Sequence, residues 1–173
     1  QTNITSSRFL VFGVKGMLSA AKNVRNAMLF NVLSFMSDKL LTVGNTVAAL
    51  DELYIWLSNP TAIEYIRNCL KRVRKKESAM LLASQNLEDF DQEGVREMTK
   101  PLFSIPPHQF LFNAGSIDKR SYMDMLQLEE SEYNLIKFPQ RGVCLYKCGN
   151  ERYLLEVHAP AYKEKLFGSA GGR

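Results

Sequence analysis

Three features of the sequence predict an α/β fold, a parallel sheet covered by helices on both faces. Short β-favouring apolar runs alternate along the chain with longer segments of helical periodicity. The early runs, RFLVFGV, TVAAL and AMLLAS, are continuously apolar rather than alternating, as strands buried on both faces are. A chain of 173 residues, 46% of them hydrophobic, can also bury one sizeable core, so a single compact domain is expected.

Arg8 to Val14 reads as the first buried strand, closing at Gly13 and Gly16. From about Ser19 to Leu41, the residues Ala21, Val24, Met28, Val32, Phe35 and Met36 recur at helical spacing with polar residues between them. This predicts a helix of roughly 35 Å. Val43-Gly44-Asn45 stops it, and Thr46 to Leu50 supplies a second strand. Asn59 as cap and Pro60 in the first turn open a helix running to about Lys76. Ala79 to Ser84 is a third strand, Leu87 to Leu102 a helix, and Gln109 to Asn113 a fourth strand. Ser116 caps Ile117 to Gln127. Leu128 to Lys137 follows as a short helix whose Glu129, Glu130 and Glu132 suit a positive N-terminal dipole. Gly142 to Lys147 and Arg152 to His158 flank Gly149-Asn150 as a C-terminal β-hairpin, and residues 168–173 read as a flexible tail.

Composition excludes several classes. Cys69, Cys144 and Cys148 are odd in number and match no zinc spacing, so a reducing, cytoplasmic setting is expected. No apolar run reaches the roughly 20 residues of a membrane helix. A net charge of +4 tolerates a polyanionic partner without demanding one. His108 and His158 have no acid or nucleophile at a suggestive spacing, and core or surface roles suit them better.

The chemistry concentrates in VAALDELYIWL, Val47 to Leu57, where two carboxylates interrupt an apolar run. In open parallel sheets ligands bind beyond the carboxyl ends of the strands, and Asp51-Glu52 falls at such an end. An aspartate there can hold hydrated magnesium, and the neighbouring glutamate can orient and deprotonate water, the Walker B arrangement of P-loop NTPases. The alternative is that the pair only starts the next helix. Gln85 ends the following strand, where it can sense a γ-phosphate or serve as a loop amide. RNCLKRVRKK, Arg67 to Lys76, crowds six basic residues together. Such a run is ordinarily a solvated face; its functional uses are an arginine finger for a neighbouring subunit or a nucleic-acid backbone contact. Trp56 and Tyr54 are expected to pack the start of the next segment.

Taken together, RFLVFGVKGM, LDELYIWL at 50–57, RVRKK at 72–76, LLASQNLEDF at 81–90 and FPQRGVCLYKCG at 138–149 resemble the C-terminal part of the large conjugative-transfer ATPase of type IV secretion systems, within the FtsK and HerA motor superfamily. The resemblance implies a RecA-like three-layer domain over residues 1–167. It implies Asp51 as magnesium ligand, Glu52 as catalytic base, Gln85 as γ-phosphate sensor and Arg74 as arginine finger, with Arg72 the alternative and Arg141 a further nucleotide contact. It also implies ATP and Mg in the intact parent, a hexamer with nucleotide at subunit interfaces, other secretion-channel components as partners, DNA as a substrate or partner, and a cytoplasmic location at the inner face of the membrane.

One departure is plain: no G-x-x-x-x-G-K-[ST] phosphate loop occurs in the sequence. The Gln1 start leads to the expectation of a chain cut after that loop. The sheet would then be incomplete, lacking the central strand between the one that ends at Gln85 and the one at Gln109 to Asn113. The fragment is expected neither to bind ATP tightly nor to hydrolyse it, and to dimerise or swap through its open strand edges. The competing reading is a non-enzymatic α/β module that docks DNA or an acidic protein through its basic helix.

Overall fold

A computed structural model describes residues 8–57, 59–85, 87–91, 94–113, 117–138 and 140–168. They form two compact units, one ending at Ser84 and the other beginning at Gln85.

In the first unit, helix α1 (Lys15–Leu18) precedes the long helix α2 (Lys22–Asp38), which ends in a π-helical turn at Lys39–Val43. Leu29, Leu33, Met36 and Leu40 are buried along this helix and turn, three or four residues apart, which is the spacing of one helix face. That face is the reason the segment is helical, because burial of an apolar stripe stabilises it more than propensity does. Strand β1 (Val47–Leu50) follows, then α3 (Tyr54–Leu57) with Ile55, Trp56 and Leu57 all buried. Helix α4 (Pro60–Arg72) starts as expected: Asn59 accepts from the backbone N–H groups of Thr61 and Ala62, and Pro60 sits where its missing N–H costs nothing. Its buried Ile63, Ile66 and Cys69 complete the core, and a 3-10 turn, Val73–Lys76, leads into strand β2 (Ala79–Leu82). The two strands pair in parallel, with Val47 opposite Ala79 and Leu50 opposite Leu82.

The second unit opens with a 3-10 turn, Glu88–Phe90, and helix α5 (Arg96–Ser104). Strand β3 (His108–Leu111), helices α6 (Lys119–Leu126) and α7 (Glu130–Ile136), strands β4 (Val143–Cys148) and β5 (Glu151–Glu156) and helix α8 (Ala161–Phe167) complete it. Its sheet is antiparallel in the order β3-β4-β5, and its core gathers Tyr122, Leu126, Leu128, Ile136 and Leu145. Gly149 at φ +57 makes the expected hairpin turn. Gly142, at φ +80, closes the other end of the hairpin against Val157, whose carbonyl oxygen would lie 2.5 Å from any added Cβ.

The α/β class and the parallel pair agree with the sequence, and several elements differ. Arg8 to Val14 forms no strand. An apolar run becomes a strand only where another strand completes its hydrogen bonds, and here Phe9 and Val11 remain 82% and 77% exposed. The strand expected at Gln109 to Asn113 is present as His108–Leu111 and pairs antiparallel with β4, a pairing the sequence did not indicate. The buried-strand reading holds for one face of the parallel pair only. Leu50 is buried, whereas Val47 and Leu81 on the other face are 67% and 63% exposed. The helix expected from Leu87 begins regular α-structure at Arg96. Ser116, expected as a cap, lies outside the described residues; Asp118 caps α6 by accepting from the Ser121 N–H. The expected tail beyond Gly168 is likewise outside them, and α8 was not anticipated. Among the described residues no helix is long and apolar enough to cross a membrane.

Candidate active site

β1 ends at Leu50, and the chain turns sharply at the two carboxylates. Beyond the strand ladder, Ala83 N–H donates to the Leu50 carbonyl and Leu53 N–H donates to the Ala83 carbonyl, both at 2.9 Å. The chain can return to β2 this quickly only because Glu52 takes a left-handed conformation, φ +50, which a non-glycine residue adopts at a cost of about 1 kcal/mol or more. Asp51 helps hold the turn: its Oδ1 accepts from the Glu52 N–H at 2.9 Å. Asp51 is exposed and Glu52 half-buried. Tyr54 donates its hydroxyl to Glu52 Oε2 at 3.3 Å, so the glutamate side chain is oriented by a residue two positions on. Beneath them Leu53, Ile55 and Trp56 are buried and anchor the turn on the core.

This geometry puts the two carboxylates beyond the carboxyl end of a parallel strand, where an open α/β sheet offers its ligand-binding crevice. A magnesium ion in a nucleotide site takes one or two carboxylates and completes its shell with water and phosphate oxygens, without a cluster of protein ligands. Among the described residues no group of three or more His, Cys, Asp or Glu side chains is arranged to hold a metal.

The other expected residues are placed differently. Gln85 is exposed and follows Ala83, the last residue bonded to the β1 end, by two positions. Arg72 and Arg74 are exposed where α4 passes into β2, at the amino end of that strand. Asp51 and Glu52 lie past the opposite end. The four residues of β2 alone separate the two ends by about 13 Å, so neither arginine reaches the carboxylates of its own chain. Arg141 is exposed in the turn before β4, in the second unit. Trp56 is buried as expected, whereas Tyr54 is 40% exposed and its hydroxyl donates to Glu52. A tyrosine two residues after a strand-end glutamate was the available signal.

A cavity of about 290 Å³ in the second unit is lined by residues including Lys100, Phe103, Asp124, Gln127 and Lys147, and by none of the expected site residues. Lys147 is buried there, its ammonium donating to the Leu126 carbonyl; desolvation, with Arg152 adding to it, holds its pKa below the usual lysine range.

No family model matches the chain. Over 101 residues, 57% of its length, it is 32% identical to a probable conjugal transfer protein TrbE of Sinorhizobium fredii (strain NBRC 101917 / NGR234). It is 31% identical over 101 residues to the conjugal transfer protein TrbE of Rhizobium radiobacter. The fold superposes on VirB4 of Thermoanaerobacter pseudethanolicus with a TM-score of 0.81 and 30% identity, over 92% of this chain. The chain is thus similar in sequence to part of these conjugal transfer proteins and in sequence and fold to part of VirB4. It spans 15% and 12% of the two TrbE relatives and 44% of the VirB4 chain.

Proposed function

We propose that this chain supplies the water-activating half of an ATP-hydrolysing site in a conjugative-transfer motor, which couples hydrolysis to channel assembly or to transfer of DNA or protein. The observation that carries the reading is the Asp51-Glu52 turn, with its left-handed glutamate held by Tyr54 at the carboxyl end of a parallel strand. Non-glycine residues stay in that conformation when the surroundings over-determine it, and such strain collects at functional sites.

In this reading Asp51 holds hydrated Mg²⁺, which when bound neutralises charge on the nucleotide phosphates. Glu52 orients water and accepts its proton, with Tyr54 fixing the carboxylate. Gln85 senses the γ-phosphate, and Arg141 adds a nucleotide contact. Arg74, or Arg72 in its place, acts on the nucleotide of a neighbouring copy, because the sheet holds both away from Asp51 and Glu52 of their own chain. That division of labour requires a homo-oligomer, which we take to be a hexamer, working among the other channel components. Its proposed place is the cytoplasm, at the inner face of the membrane, where ATP is supplied. The 173 residues alone lack the phosphate-cradling loop and are proposed to be inactive.

The test compares the full-length protein with its Glu52→Gln variant. Turnover falls by orders of magnitude while ATP and Mg²⁺ still bind, as for loss of a catalytic base. Equal turnover in both returns the carboxylates to the role of a helix start. It then favours the second reading, a module that docks DNA or an acidic protein through its basic helix, whose Lys71, Arg72, Arg74, Lys75 and Lys76 are exposed. In that case removing the charges of Arg72 and Arg74 flattens the salt dependence of DNA binding.

A further inference from the structure

Three left-handed residues face one another where the long helix and the basic segment meet their strands: Gly44 at φ +79, Asn45 at φ +45 and Glu77 at φ +53. Around them lies a closed set of hydrogen bonds. Asn45 N–H donates to the Lys76 carbonyl at 2.9 Å, and Gly44 N–H donates back to the Lys39 carbonyl at 2.9 Å. Ser78 is buried; its hydroxyl donates to the Leu40 carbonyl at 2.9 Å and accepts from the Thr46 N–H at 3.2 Å. Ser78 N–H donates to the Val73 carbonyl at 3.1 Å. The approach at Gly44 is too close for any side chain, since an added Cβ would lie 2.8 Å from the Lys76 oxygen.

We propose that Gly44, Asn45 and Ser78 form a positioning clamp that fixes the direction in which the Arg72–Lys76 segment presents its cations to a neighbouring copy of the protein, and ties that direction to the π-helical turn of α2. A plain helix-to-strand connection needs no such device. This one carries Lys71, Arg72, Arg74, Lys75 and Lys76, all exposed and all of one sign, so mutual repulsion favours splaying. The carbonyl of Lys76, the last of them, is the group the clamp holds, and Ser78 links the same point to Leu40. The terminal turn of α2 and the basic segment therefore move as one piece. The inference rests on the reading of Arg74 or Arg72 as acting in trans.

The experiment uses full-length protein and subunit mixing. Ser78→Ala is expected to lower kcat on the order of 10- to 100-fold, the scale of a small misplacement of a catalytic group, with ATP affinity unchanged. Mixed with Glu52→Gln subunits, it regains turnover, because an intact cationic segment then meets intact carboxylates at a mixed interface. A subunit damaged in its own fold gains nothing from mixing. Gly44→Ala behaves the same way if it folds, and where it does not, Ser78→Ala decides. Unchanged kcat in Ser78→Ala, or a loss that mixing does not restore, overturns the clamp. Arg72→Ala and Arg74→Ala in the same assay separate the two ideas. Normal turnover in both removes the trans arginine itself and the clamp with it; rescue of an arginine variant without rescue of Ser78→Ala removes the clamp alone.

Discussion

Glu52 and Tyr54 form the smallest unit with functional consequences. The hydroxyl of Tyr54 donates to the glutamate that is proposed to take the proton from water. Tyr54→Phe should therefore reduce turnover of the full-length protein several-fold and leave nucleotide affinity unchanged, a far smaller effect than Glu52→Gln. Unaltered kcat would show that the hydroxyl does not orient the carboxylate. In the second unit, Tyr122 is 2% exposed, and burial, with Tyr133 beside it, pushes its pKa from 10.0 up to about 12. The folded state holds this proton more tightly than the unfolded state does. The associated stability is complete below pH 10 and is lost as pH rises through 12, about 3 kcal/mol in all. Urea unfolding of the chain at about pH 9 and about pH 11 should show roughly half of that loss, about 1.4 kcal/mol, and Tyr122→Phe should remove most of it.

The starts of α4 and α7 were marked in the sequence because a cap is a local chemical event. Asn59 satisfies two N–H groups that the first turn of α4 leaves open, and Asn59→Ala should cost about 1 kcal/mol in thermal or urea unfolding. Glu129 and Glu132 likewise form the reciprocal capping box of α7. The helix cores follow the same logic with larger energies: Leu33, fully buried on α2, should cost about 3 kcal/mol as Leu33→Ala. Strands were less legible. RFLVFGV has the composition of a strand, but a strand is a pairing, and composition names no partner. The same limit applies to QFLFN, correctly read as a strand, whose antiparallel partner β4 its composition does not name.

For the molecule as a whole, the open faces carry the prediction. Val47 and Leu81 are exposed on the parallel pair, and Phe110 and Tyr153, stacked on either side of Tyr146, are exposed on the antiparallel sheet. Apolar faces of this kind and unpaired strand edges favour self-association. The chain on its own should elute with an apparent mass that rises with concentration in size-exclusion chromatography with light scattering. A monomer at every concentration would contradict this. The same preparation should show no Mg²⁺-dependent ATP turnover.

The order of the letters was enough for the α/β class, the main helix of each segment, the hairpin and the Asp51-Glu52 pair, because caps, periodicity and a carboxylate pair after an apolar run are written within a few neighbouring residues. Folding chose which strands pair, that Glu52 turns left-handed, and that Arg72 and Arg74 stand at the far end of the sheet from it. Each of these depends on a bond or a packing contact between segments far apart in the chain, such as Leu53 to Ala83 or Asn45 to Lys76, and no local pattern encodes them.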